Sequence, residues 1–200
     1  MNVVIFDLET TGVDISKDEI IQIGAICMDS LTGREISSFE VKLLPTEKGV
    51  ASLNSMKESG FTNCYDPEIW GLEGVNRGLA LNRFAGWVGR FTDQKRIAKS
   101  GKGYYVAQGC GYNAAKFDHP FILNVCRFYN IFLPMDMRVW DAMQFAMLYF
   151  AIRNIEPLDY KLETTAKNMK IELLHAHDAL EDARATARIT FSILNSLRKS

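Results

Sequence analysis

The chain opens on a short apolar, β-branched run, "NVVIFDLE", whose pattern predicts a buried strand. A polar turn, "TTGVDISKD", follows. "EIIQIGAICMD" and "REISSFEVKLL" then read as two further strands, with "SLTG" as the hairpin turn between them. From Pro45 to about Asn76 the pattern loosens: "ASLNSMKESG" reads as a short helix and "NCYDPEIWGLEGV" as irregular. "GLALNRFAGWVGRF" places Leu79, Leu81, Phe84, Trp87, Val88 and Phe91 at near-helical spacing, which predicts an amphipathic helix. "TDQKRIAKSGKG" reads as a basic loop and "YYVAQG" as a return to strand. "DHPFILNVCRFYN" predicts a helix with Pro120 in its first turn, where proline is tolerated. "RVWDAMQFAMLYFAIRN" predicts a long, largely buried helix and "DYKLETTAKNMK" a short one. The last helix, "DALEDARATARITFSILNSLRK", is acidic at its start and basic at its end, as the helix dipole favours. Strands, a helical stretch, a strand and then helices fit an α/β layer architecture with a mixed sheet. No repeat or linker interrupts the pattern, so a single domain over 1–200 is expected.

Composition narrows the partners. Charged residues make up 24% of the chain, yet the net charge is only -1. That balance argues against coating long stretches of duplex, which favours strongly basic surfaces. It leaves open a grip on a few nucleotides, because bound cations offset a protein's own carboxylates locally. Cys27, Cys64, Cys110 and Cys126 show no CxxC and no zinc-like spacing, so free thiols in a reducing compartment are expected. "MNVVIF" runs straight into the first acidic segment without a signal peptide. No apolar run approaches the ~20 residues a membrane span needs. A soluble, cytoplasmic protein with no membrane partner is the expectation.

Three separated segments carry the candidate chemistry: Asp7 and Glu9 in "VVIFDLETTG", Asp118 in "GYNAAKFDHPFI", and His177 and Asp182 in "HDALEDARAT". Asp7 and Glu9 are two apart on a predicted central strand, so both side chains share one face of the sheet. Adjacent carboxylates on a buried strand repel and resist desolvation, and a cation relieves both costs. The alternative is a strand that ends at Phe6, leaving both acids solvated in a turn. Asp118 fits the N-cap of its helix, a role compatible with facing a metal through its second oxygen. Asp182 falls in the first turns of the last helix, where a surface acid is favoured by the dipole. His177 precedes it by five residues, ~140° away on a continuous helix, so the two converge more easily if His177 sits in the preceding loop. His175 and His177 form an HxH, but without a third ligand of matching softness it gives no zinc site. Four carboxylates can hold two magnesium ions and a histidine can move a proton near neutral pH, the equipment for cutting a phosphodiester bond.

Together the segments resemble the DEDD superfamily of 3′–5′ exonucleases, in the subgroup whose third motif carries histidine. "FDLETTG" is similar to the first motif, "GYNAAKFDHPFI" to the second and "HDALEDARAT" to the third, and "KLETTAKNMKI" looks like the stretch that precedes the third. The resemblance runs from Val3 to about Ile193. The second motif departs in part. Three residues separate Asn113 from Phe117 where many proofreading subunits have two, and Tyr112 stands where histidine is frequent. Exonuclease I-like and mammalian repair exonuclease-like members share the longer spacing.

The resemblance implies a ribonuclease H-like fold, a mixed five-stranded sheet flanked by helices. It implies that Asp7, Glu9 and Asp182 hold one divalent cation, Mg²⁺ or Mn²⁺, that Asp7 bridges to a second held by Asp118, and that His177 is the general base. Leu8, Thr10 and Thr11 would line the terminal nucleotide, and Tyr112, Asn113 and Phe117 would contact sugar or base, although Phe117 also suits the core. The basic residues Lys95, Arg96, Lys99 and Lys102 either track the strand or are simply solvated. The expected activity is release of nucleoside 5′-monophosphates from single-stranded DNA 3′ ends, with an exoribonuclease or oligonucleotidase as the alternative. A non-catalytic module that binds nucleic acid or a polymerase is a third reading. A polymerase is a conceivable partner, although the chain stops just past its last helix.

Overall fold

The computed structural model describes residues 1–60, 63–173 and 177–198. Its centre is β1 (Asn2–Thr10), antiparallel to β2 (Ile20–Asp29), which is antiparallel to β3 (Glu35–Lys42). Gly33, at φ +73°, donates to the Asp29 carbonyl and closes the β2–β3 hairpin where "SLTG" predicts it. Helices α1 (Glu47–Glu58), α2 (Pro67–Glu73) and α3 (Arg77–Val88) follow, then a short two-stranded ribbon of β4 (Gln94–Ile97) and β5 (Gly103–Val106). The chain re-enters the main sheet as β6 (Gln108–Gly111), parallel to β1, and passes into α4 (Asp118–Phe128). A two-residue strand β7 (Trp140–Asp141), parallel to β6, leads into α5 (Ala142–Ile152), α6 (Leu162–Asn168) and α7 (Ala179–Arg198). The main sheet is five-stranded and mixed, in the order β3-β2-β1-β6-β7.

Side-chain alternation along β1 sets the layers. Val4, Phe6 and Leu8 point into a core shared with α3 and α4, through Leu81, Phe84, Phe121 and Ile122. Val3 and Ile5 point to the other face, onto Ala183 and Ala187 of α7. Asp7 and Glu9 continue this second row, so they lie on the α7 side. The small residues let α7 approach the strands closely, and Gly24 takes that approach to its limit. Gly24 pairs with Asp7 across the ladder. A β-carbon there would stand 2.1 Å from the Leu180 nitrogen and 2.2 Å from the Ala179 carbonyl carbon.

Four elements differ from the sequence expectations. The "DPEIWGLE" stretch is a helix rather than irregular: Pro67 opens it, Asp66 caps the Glu68 and Ile69 N–H groups, and buried Trp70 donates its indole N–H to the Ile21 carbonyl at 3.0 Å. The basic loop is half strand, with Lys95 opposite Tyr105 and Arg96 opposite Tyr104, and only its tip is a turn, with Gly101 at φ +82°. "YYVAQG" splits between two sheets, its first part in the ribbon and its second in β6. The helix predicted from "RVWDAMQFAMLYFAIRN" starts only at Ala142, because Trp140 and Asp141 belong to β7. It is also buried along one face only: Ala142, Ala146 and Phe150 are inside, whereas Leu148 and Ile152 are more than half exposed.

Gly24→Ala should force α7 off β2 at a cost of about 1–3 kcal/mol, the usual range for overpacking. A chain of this size loses about 2–4 °C of Tm per kcal/mol, which a calorimetric scan resolves. An unchanged Tm would mean that α7 is not pinned at this point.

Candidate active site

The carboxylates converge on the C-terminal end of β1. The strand runs through to Thr10, so Asp7 and Glu9 are strand residues and the solvated-turn alternative fails. One oxygen each from Asp7, Glu9 and Asp182 lie within 4.8 Å of one another. Asp182 is buried rather than the surface acid that the helix position suggests, and its Oδ1 has no hydrogen-bond partner. Asp118 is not the N-cap. Phe117 occupies that position without a side-chain cap, and Asp118 begins the helix proper. Its Oδ1 instead accepts the backbone N–H of Leu8 at 3.1 Å, which fastens the start of α4 to the acidic end of β1.

Burial and mutual repulsion show in the protonation of these groups. Asp7 is held well above the usual carboxylate range, by burial first and then by the charges of Asp118, Glu9, Asp182 and Asp178. Glu9 is pushed up to about 8, again by burial, then by Asp182, Asp178 and Asp118. Burial raises Asp118 to about 7 against the pull of the Leu8 N–H, and raises Asp182 to about 6 against the N–H of His177. An all-oxygen donor set, clustered and with an orphaned buried oxygen, fits a hard divalent cation such as Mg²⁺ or Mn²⁺.

His177 precedes α7 in a left-handed turn at φ +67°, exposed, with its backbone N–H on Asp182 Oδ2 at 3.3 Å. It lines an open cleft of about 860 Å³ together with Tyr112, Asn113 and Met143. His175 lies outside the described residues. The other residues singled out for nucleotide contact differ in availability. Leu8 is buried, and its N–H is committed to Asp118. Thr11 is buried, with its hydroxyl engaged by Asp18 and the Glu19 N–H. The Thr10 hydroxyl donates to the Gly12 carbonyl at 2.7 Å. Tyr112 anchors its hydroxyl on the Tyr160 carbonyl and Thr165, at 2.8 and 2.6 Å. Phe117 is half-buried against the core, with its ring edge-on to Phe121 at 5.6 Å. The basic stretch does not border the site. β5 leads into β6, where Gln108 pairs with Val3, six residues before Glu9 and so roughly 20 Å away along the strand.

Three residues that sequence reasoning passed over hold the site in shape. Gln22, fully buried opposite Glu9, donates to Glu40 and Asp178 and accepts from the Ala179 N–H. Asp178 caps α7 through the Leu180 and Glu181 N–H groups. Asp141 caps α5 and accepts the N–H groups of Asn113 and Ala115, fixing the loop that delivers Asp118. A glutamine and a glycine breaking the apolar run "IIQIGAIC" were the available signal for the first.

The raised acids make a testable statement about stability without metal. Glu9 lies above its ordinary value, so the stability it contributes is fully present below about pH 4.5 and is lost as pH rises through about 8. In EDTA the Tm should therefore fall between pH 5 and pH 8.5, and Mg²⁺ or Mn²⁺ should restore it by binding the folded state. Glu9→Gln should flatten the pH dependence and raise the Tm at pH 8 by at least about 2 °C. A Tm in EDTA that is flat across this range would overturn the assignment of a strained acidic cluster.

A family model described as Exonuclease matches residues 4–63. The chain is 29% identical over 200 residues to the PolC-type DNA polymerase III of Caldanaerobacter subterraneus, an alignment covering 98% of this chain and 12% of that protein. The chain thus spans about an eighth of the length of the curated relatives it matches. Among solved structures it resembles E. coli exonuclease I in complex with a dT13 oligonucleotide, with a TM-score of 0.70 and 18% identity over 99% of this chain and 42% of that one. It also resembles the zinc-bound form of E. coli exonuclease I with single-stranded DNA, with a TM-score of 0.68 and 19% identity over 99% and 43%. The sheet is that of the ribonuclease H-like fold. With the match over the first motif and the alignment over nearly its whole length, the chain is similar to the DEDD superfamily of 3′–5′ exonucleases.

Proposed function

We propose that residues 1–200 form a single metal-dependent exonuclease domain that removes nucleoside 5′-monophosphates from the 3′ ends of single-stranded DNA. The observation that carries this reading is the meeting of Asp7, Glu9 and Asp182 oxygens within 4.8 Å beside an Asp118 fastened to the same strand end. Exonuclease I structures with oligonucleotides support a single-stranded DNA substrate. The alignment with PolC-type polymerases supports a polymerase as partner. No helix among the described residues is long and apolar enough to cross a membrane, which agrees with action in the cytoplasm.

Asp7, Glu9 and Asp182 would hold one cation, and Asp7 with Asp118 a second. Divalent cations held there would supply Lewis-acid stabilisation of the charge that develops at the phosphate. The chain's own groups do the rest. His177 faces the cleft, anchored through its backbone to Asp182, and takes the proton of the attacking water. The bond from phosphorus to the 3′ oxygen of the penultimate nucleotide breaks, that oxygen is protonated, and a 5′-monophosphate leaves. Asn113 and Tyr112, which line the same cleft, are placed to position the terminal sugar and base.

With 5′-labelled single-stranded DNA and Mn²⁺ or Mg²⁺, the protein should shorten the strand from its 3′ end. EDTA or Asp7→Ala should abolish shortening, and His177→Ala should lower kcat by about 10²–10⁴-fold, the usual worth of a general base. Faster loss of an RNA oligomer would reassign the domain as an exoribonuclease, and a sharp preference for dinucleotides as an oligonucleotidase. Activity with Zn²⁺ alone would reverse the metal assignment. No shortening of any substrate, with metal bound, would leave a binding module.

A further inference from the structure

At the end of the sheet away from the carboxylates, the β4–β5 ribbon, α4 and the segment after it enclose a cleft of about 490 Å³. Its lining has three arginines, Arg96, Arg127 and Arg138, against one aspartate. That aspartate, Asp136, is buried and shared between Arg96 and Arg138, so one negative charge answers two positive ones. Among the described residues no ion pair engages Arg127, nor Lys99 or Lys102 at the exposed ribbon tip. Tyr104 and Phe132 meet edge-on at 6.4 Å on the same cleft and remain 40% and 69% exposed.

Unpaired cations beside open aromatic rings are the combination that single strands use. Phosphates pair with the cations, and bases of any sequence stack on the rings or on a guanidinium. Lys102 lies two rungs beyond the Arg96–Tyr104 pair, opposite Ala98, and Lys99 follows Ala98 into the turn. The positive line therefore continues past the cleft, which suits a polymer better than a small anion held inside.

We propose that this cleft is a second binding surface for single-stranded nucleic acid, gripping the strand upstream of a 3′ end held at the carboxylates. The position of the 3′ end rests on the exonuclease reading; the binding does not. The separation of roughly 20 Å means that a very short oligonucleotide reaches only the acidic site.

Fluorescence anisotropy in EDTA and low salt, with oligonucleotides of about 4 and about 16 nucleotides, bracketing common single-strand site sizes, tests this. The longer strand should bind at least about tenfold tighter. The triple variant Lys99→Ala, Lys102→Ala, Arg127→Ala should remove that advantage and reduce the slope of log K against log salt by about 2, at ~0.7 per lost phosphate contact. Its rate of shortening the 4-mer should be unchanged. Tyr104→Ala should weaken single strands more than duplex, whose stacked bases cannot reach the ring. Equal binding of both lengths, a variant of parental Tm that keeps parental affinity, or equal loss for duplex and single strand would each overturn the proposal. If the triple variant melts early, Lys102→Ala alone, at the exposed tip, should still lower the slope by ~0.7. A parent that grips the 16-mer through this cleft yet shortens nothing would sink the exonuclease reading and leave this one standing. Normal shortening with unaltered binding by the variants would do the reverse.

Discussion

The first turn of α7 rests directly on β2 because position 24 has no side chain. Gly24 is the ladder partner of Asp7, so the contact falls beside the first acidic residue. Gln22, two residues along on the same face, bonds both Asp178 and the Ala179 N–H and fixes the helix start in rotation as well as height. Asp182, one turn into the helix, is thereby carried to within reach of Asp7 and Glu9. Ala183 and Ala187 continue the close packing, which thus extends about two turns from Ala179.

That packing works against electrostatics. Four carboxylates that would separate in water are held together at the end of one strand, two of them buried, and their raised protonation records the cost. The cost is tolerated because backbone contacts, rather than side-chain attraction, set the geometry. Asp118 is held by the Leu8 N–H and Asp182 by the N–H of His177. A divalent cation bound there would convert the strain into affinity, at the expense of stability without it.

The two ends of the sheet differ in charge. The carboxylates collect where β1 finishes, while the arginines and lysines of the ribbon and its cleft collect where β1 starts. The net charge of -1 is the sum of these opposed surfaces and describes neither. An acidic centre repels a polyanion unless cations fill it, and a basic surface some distance away would attract the strand without crowding the carboxylates.

Local pattern determined much of this. The apolar runs of β1 and β2, the turn at Gly33, the amphipathic α3, the α7 that is acidic at its start and basic at its end, and the pairing of Asp7 with Glu9 on one face follow from side-chain period, helix dipole and turn chemistry, which act over a few residues. The three acidic segments and the resemblance to the superfamily were legible for the same reason, since each motif is a short string. Where local signals were mixed, the chain misled: "DPEIWGLE" carries a cap and a proline but little periodicity, and the ribbon strands are masked by polar residues that pair across a hairpin. What only the tertiary structure decided depends on contacts between distant segments. Asp118 trades the cap expected of it for the N–H of Leu8, 110 residues away. Asp182 becomes buried because Gly24 admits α7, and Thr11 is consumed by Asp18 and Glu19. The basic stretch is sent to the far end of the sheet by the parallel register of β6 on β1. A sequence states which groups are available; which of them meet is set by packing, because burial and hydrogen-bond partners belong to pairs of segments and not to either one.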